Sequence, residues 1–188
     1  MNIYDFDGTL YTGDSTRDFL FFLLLRHPRA LRCVPAALGT FFRVRKGEKT
    51  LTDFKESLFR IFSDVPDVPR EAETFWERKA KKLKKWYREK AREDDLVISA
   101  SPEFLVKKGC EKLGIRRVIA SRVDPATGKF EGINCRDEEK IRRLRAEYPD
   151  ARAEEFYSDS HADDPLARLS ERAFWVKGEK VSPWRFPG

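Results

Sequence analysis

The chain has 188 residues, 40% hydrophobic and 37% charged, enough for one ordinary domain with a modest insertion under a heavily solvated surface. A formal net charge of +6 and a pI near 9.2 favour anionic partners over cationic ones. Three cysteines, Cys33, Cys110 and Cys135, are odd in number, widely spaced and in no metal-ligand pattern, which excludes a disulfide framework and reads as reduced thiols.

The chain opens on Ile-Tyr-Asp-Phe-Asp-Gly-Thr at 3–9. In an extended strand, residues two apart project to the same side, so Asp5 and Asp7 can face one point. Gly8 permits a tight turn beside whatever binds there. One acid can attack or bind metal while the other carries a proton. Because this strand begins almost at Met1, no room is left before it for a signal peptide, and a cytoplasmic location is expected, with attachment to the inner membrane face left open.

Residues 12–91 read as helical, with Asp14 or Ser15 capping a helix through Leu25, punctuation at Pro28 and Pro35, a helix over 51–62 and a long one over 70–90. From Asp95 short apolar strands alternate with charged helices. Strands are predicted at 96–99, 117–123, 155–158 and 173–176, and helices at 102–113, ended by Gly114, and from an Asp137 cap to about Tyr148. A turn at 124–128 is expected to lead into an edge strand over 129–134, and the tail 182–188 to be irregular. The pattern is α/β: a Rossmann-like core with a central parallel sheet, 1–11 and 92–188, carrying an inserted all-helical cap, 12–91.

In such sheets, ligands bind outside the carboxyl ends of the strands. Asp5 and Asp7 end the first strand, Ser99 the second, and Asp159 the strand after the Asp137 helix, so these groups share one rim. Ser99 is preferred over Ser101 because it ends its strand. Lys140 lies in the first turn of its helix, against the dipole, which is reasonable if its ammonium points at a bound anion. Asp163 is preferred over Asp164 on spacing, since Asp164-Pro165 can equally start a helix. His161 reads as a loop residue near the site.

Asp-Phe-Asp-Gly-Thr, Ser99 after an apolar strand, Lys140 and Asp159-Ser-His-Ala-Asp163 resemble, in order and spacing, the four motifs of the haloacid dehalogenase superfamily. The cap after the first motif, Ser-Ala-Ser-Pro at 99–102 and Asn-Cys-x-x-x-x-Lys resemble its phosphoserine phosphatase-like subfamily IB; the apolar cap and the 157–166 stretch look most like the phosphatidylglycerophosphatase C type. The resemblance implies a phosphatase in which Asp5 is the nucleophile, forming an aspartyl-phosphate, and Asp7 the general acid and base. It implies Mg²⁺ held by Asp5, Asp159 and the backbone carbonyl of Asp7, with Asp163 positioning the metal or its waters. Ser99, Lys140 and the Gly8 turn would bind the phosphoryl oxygens.

Asp14 falls where relatives with amino-acid substrates read an ammonium group, although it can equally cap the next helix; Ser-Ala-Ser in place of Ser-Gly-Gly departs from the phosphoserine phosphatases. The apolar runs 19–25 and 33–42, too short to span a bilayer, are ringed by Arg26, Arg29, Arg32, Arg43, Arg45 and Lys46. They read either as a cap packed on itself or as an interfacial segment on anionic lipid. The expected substrate is therefore a small phosphorylated metabolite or a phospholipid head group, with a non-catalytic phosphate- or lipid-binding module as the alternative. Lysines from Lys79 to Lys90, with Trp76, Trp86 and Tyr87, read as the wet face of an amphipathic helix whose aromatics enter the core, and no nucleic-acid partner is expected.

Overall fold

Along each central strand, successive apolar residues divide between two cores, as the two-residue period of a sheet buried on both faces requires. In the computed structural model, which describes residues 1–187, Ile3, Leu96, Ile98, Ile119 and Phe156 enter one core and Tyr4, Val97, Ala120 and Tyr157 the other. The strands are β1 (Asn2–Tyr4), β2 (Leu96–Pro102), β3 (Arg117–Ser121), β4 (Glu155–Ser158), β5 (Arg172–Lys177) and β6 (Lys180–Pro183). Their spatial order is β3-β2-β1-β4-β5-β6, parallel except for β6. The chain fills the sheet on one side of β1 and then crosses to the other, which places a topological switch point beside β1.

Helices α6 (Glu138–Glu147) and α7 (Asp164–Leu169) supply Leu144 and Leu166 to the first core. The second is covered by α5 (Glu103–Glu111) and by a helical cap between β1 and β2, built from α1 (Ser15–Arg26), α2 (Val34–Arg45), α3 (Leu51–Phe59) and α4 (Val68–Lys79). Phe75 and Trp76 on α4 are fully buried there, each contributing roughly 1.5–3 kcal/mol of apolar transfer. Trp76 Nε1 donates to the Leu105 carbonyl (2.8 Å), so the polar edge of the indole is satisfied as well. Among the described residues, no helix is long and apolar enough to cross a membrane, and all three cysteines are free.

Several predicted elements are corrected. The 51–62 helix ends at Phe59 and tightens into a 3₁₀ turn, Arg60–Asp64. The long helix over 70–90 stops at Lys79, because Leu83 bridges to Tyr11 while Thr12 N donates to Lys82 O and Lys84 N to Leu10 O (both 2.8 Å). Segment 129–134 forms only an isolated Val123–Phe130 bridge. Its backbone turns to the cap instead: Phe130 N donates to Glu56 Oε1 (3.0 Å), and a Cβ on Gly128 would lie 2.2 Å from Phe59 O. Asp137 precedes α6 at φ 50°, and its side chain makes no capping bond. Ser182 and Pro183, expected in an irregular tail, belong to the edge strand β6, while Gly188 lies outside the described residues.

Candidate active site

Strands β2, β1 and β4 are neighbours, so the residues leaving their carboxyl ends converge. Asp5, Asp7, Gly8, Asp14, Ser99, Lys140, Asp159 and Asp163 all line one cavity of about 520 Å³. Asp5 continues the ladder, its N–H donating to Tyr157 O (2.9 Å). Lys140 reaches in from the first turn of α6 and places Nζ 2.8 Å from Asp5 Oδ1 and 2.6 Å from Asp163 Oδ1. The expected anion at this ammonium is thus two of the protein's own carboxylates, and two of its three N–H groups are committed to them. Lys140 and Asp163 are each only 3% exposed. Burial pushes the Asp5 carboxyl above its ordinary range, whereas at Lys140 the charges of Asp5 and Asp163 outweigh burial and hold the ammonium protonated. At these distances the ammonium–carboxylate form satisfies both partners.

Asp7 is held differently. Ser15 N donates to its Oδ1 (2.6 Å) and Ser101 Oγ to its Oδ2, and Thr16 Oγ1 donates to Ser101 Oγ (2.8 Å). All of these donors are neutral. Burial, reinforced by the Asp14 charge, pushes Asp7 up to about 6 against those hydrogen bonds. Asp159 is also raised by burial, with the Lys84 charge opposing. Its carboxylate lies so close to the first loop that a Cβ on Gly8, at φ 72°, would fall 1.8 Å from Oδ2. Only glycine allows that approach.

Asp163 and Asp164 part company. Asp163 Oδ2 accepts from Ser158 Oγ (2.7 Å) at the cavity, whereas Asp164 Oδ1 accepts from Trp184 Nε1 (2.9 Å) and lies 3.1 Å from His161 Nδ1. His161 packs at 4.6 Å against Trp175, its ring tilted by 36°, and is not among the cavity-lining residues. Asp14 caps α1, accepting from Arg17 N (2.8 Å). Ser99 Oγ accepts from Ser101 N (3.1 Å).

Some residues escaped the sequence. Ser101, set aside for Ser99, holds Asp7. Lys84, read within a solvated lysine run, is 3% exposed and donates to Gly8 O beside Asp159, although Trp76, Trp86 and Tyr87 do enter the core. Arg17, Lys55 and Arg136 also line the cavity; Lys55 Nζ donates to Ala100 O (2.9 Å), and burial lowers its ammonium. No sequence signal distinguishes Lys84 from its neighbours, because its burial depends on the return of the chain past Leu10.

Among the described residues no three His, Cys, Asp or Glu side chains form a metal cage by themselves. Four carboxylates, Asp5, Asp7, Asp159 and Asp163, nevertheless line the one cavity. Residues 3–168 match the family description haloacid dehalogenase-like hydrolase. Protein CicA of Caulobacter vibrioides is 29% identical over 185 residues, covering 89% of this chain and 82% of that protein. A protein of unknown function from Bordetella pertussis Tohama I shares the fold at TM-score 0.71 and 22% identity, covering 92% of this chain and 87% of that one. A substrate-bound phosphoserine phosphatase shares it at TM-score 0.56 and 18% identity, covering 91% and 82%. With the family description spanning most of the chain and every residue that lines the cavity, the chain belongs to the haloacid dehalogenase-like hydrolases.

Proposed function

We propose that this hydrolase is a Mg²⁺-dependent phosphatase that cleaves a phosphomonoester through an aspartyl-phosphate on Asp5. The observation that carries this reading is the contrast between two neighbouring carboxylates. Asp5 is paired with the Lys140 ammonium, which favours the ionised form a nucleophile needs, while Asp7, raised by burial as Asp5 is, is held only by neutral donors and can carry the proton an acid–base group requires. An Asp5 oxygen attacks phosphorus, the bond to the leaving oxygen breaks, and Asp7 delivers its proton to that oxygen. Asp7 then takes a proton from water, whose oxygen attacks phosphorus and frees Asp5. Ser99 Oγ and the remaining N–H of Lys140 are available to the phosphoryl oxygens.

The carboxylates suit a hard divalent ion. Asp5 and Asp159 would hold Mg²⁺ by carboxylate and Asp7 by its carbonyl, with Asp163 positioning the ion or its waters. The glycine-only approach of Asp159 to the first loop supports this. When bound, Mg²⁺ offsets the repulsion between the Asp5 carboxylate and a phosphate dianion.

Residues 12–91 are taken as the cap and 1–11 with 92–188 as the catalytic core. Both contribute cations to the cavity beyond Lys140, namely Arg17 and Lys55 from the cap and Arg136 from the core. These suit a substrate with a second acidic group, such as a phosphorylated acid or a phospholipid head group. The test is phosphate release from an aryl phosphate, abolished by chelator and by Asp5→Asn. Full activity in Asp5→Asn refutes the covalent route. A panel containing phosphoserine and phosphatidylglycerol phosphate then separates soluble from lipid substrates.

A further inference from the structure

Helix α2 is apolar and lies on α3 by one side only, which leaves the other side open. Of its twelve residues only Ala37 is buried. Leu38, Phe41 and Phe42 are 54%, 39% and 60% exposed; spaced i, i+3 and i+4, they share one face. Leu31, just before α2, and Leu51, which starts α3, are each about half exposed. Exposed apolar residues grouped in this way mark a surface that meets another phase or partner, whereas scattered ones do not.

Charge identifies the partner. Residues 26–49 contain seven lysines and arginines and one carboxylate, Glu48; Arg26, Arg32, Arg43 and Lys49 pair with Glu71, Asp64, Glu48 and Asp53, which leaves Arg29, Arg45 and Lys46 as the unpaired cations of this face. Arg45 extends the Leu38–Phe42 face by one turn, and neither Arg45 nor Lys46 has an ion-pair partner among the described residues. Two copies meeting through this face would oppose two strongly cationic segments. An anionic bilayer matches both features, accepting the apolar side chains at the acyl boundary and the guanidinium and ammonium groups among its head groups. Twelve residues span about 18 Å, well short of a hydrocarbon core, so α2 can lie in that surface but not cross it.

We propose that the α2 face of the cap, Leu38, Phe41 and Phe42 with Arg45 and Lys46, docks on an anionic lipid bilayer. The surface adjoins the candidate active site: Phe41 packs at 5.5 Å on Phe54 of α3, and the next residue, Lys55, lines the cavity. Docking therefore brings the cavity close to lipid head groups. The proposal goes beyond the phosphatase reading, and its readout requires no turnover.

The test is co-sedimentation of the full chain with phosphatidylcholine vesicles, with and without about one third phosphatidylglycerol. Pelleting with the anionic vesicles, weakened by salt and lost with phosphatidylcholine alone, is expected. Leu38→Ser/Phe42→Ser, at exposed positions, is expected to cut partitioning at least about ten-fold with an unchanged circular dichroism spectrum. Arg45→Gln/Lys46→Gln, which leaves the apolar face intact, is expected to weaken it several-fold and flatten the salt dependence. Wild-type chain that stays in the supernatant with anionic vesicles, or equal partitioning by both variants and wild type, overturns the proposal. So does a dimer in sedimentation velocity that Leu38→Ser/Phe42→Ser abolishes, since a second copy would then be what covers the face.

Discussion

Replacing Gly8 by alanine probes the contact on which the proposed metal site depends. Two costs can be read from the geometry. At φ 72° an L-residue is disfavoured by about 1–2 kcal/mol, which for a chain of this size lowers Tm by about 2–8 °C. The new methyl would also lie 1.8 Å from Asp159 Oδ2 and 2.2 Å from its Cγ, far inside the ~3.5–4.0 Å of ordinary contact, so the carboxylate must swing away from the loop. Displacing a ligand in this way is expected to raise the Mg²⁺ concentration for half-maximal aryl phosphate hydrolysis at least about 10-fold, because even outer-shell changes cost 10–100-fold. The assay is a Mg²⁺ titration of phosphate release beside a thermal melt, with Asp159→Asn for comparison. Gly8→Ala should resemble Asp159→Asn in its metal dependence. Wild-type Mg²⁺ dependence and turnover in Gly8→Ala would refute the placement of Asp159 at the ion.

Lys140→Met leaves Asp5 and Asp163 buried without their shared cation and should cost about 3–5 kcal/mol in chelator, with Mg²⁺ restoring part of it; an unchanged melt in chelator contradicts this. Glu139 is held down to about 2 by hydrogen bonds from Arg142 and then Arg143. Its folded pKa lies below its unfolded 4.5, so its contribution is complete above about 4.5 and disappears as pH falls through about 2. Glu139→Gln should therefore lose about 1 kcal/mol at neutral pH, discounted because Arg142 is largely exposed, and much less at about pH 3, measured as urea midpoints.

The parallel core could be read directly because each central strand is apolar on both faces and runs into polar residues, although β2 does not end at Ser99, as expected, but continues through Ser101 to Pro102. Ile-Tyr before Asp5, Leu-Val-Ile before Ser99 and Phe-Tyr before Ser158 and Asp159 are local patterns, and their ends meet as expected at one cavity. The lysine run could not be read the same way. Lys79 to Lys90 are good helix formers, yet the helix stops at Lys79 because hydrogen bonds to residues 10–12, far away in sequence, compete with it. Lys84, Lys55 and Ser101 owe their places in the site to such long-range packing, and composition carries no trace of it. Strand β6 leaves no such pattern, because an edge strand with exposed lysine, serine and proline lacks an apolar signature.

The pairing of residues 10–12 with 82–84 has a geometric consequence. The chain leaves the sheet for the helical insertion and comes back from it along the same short seam, fastened by the two backbone hydrogen bonds that make the Tyr11–Leu83 bridge. Two crossings bound side by side act like the spine of a book. They resist sliding of the insertion over the sheet, and the covers of the book are clasped as well, because Trp76 of the insertion is buried and bonded to Leu105 beyond the spine.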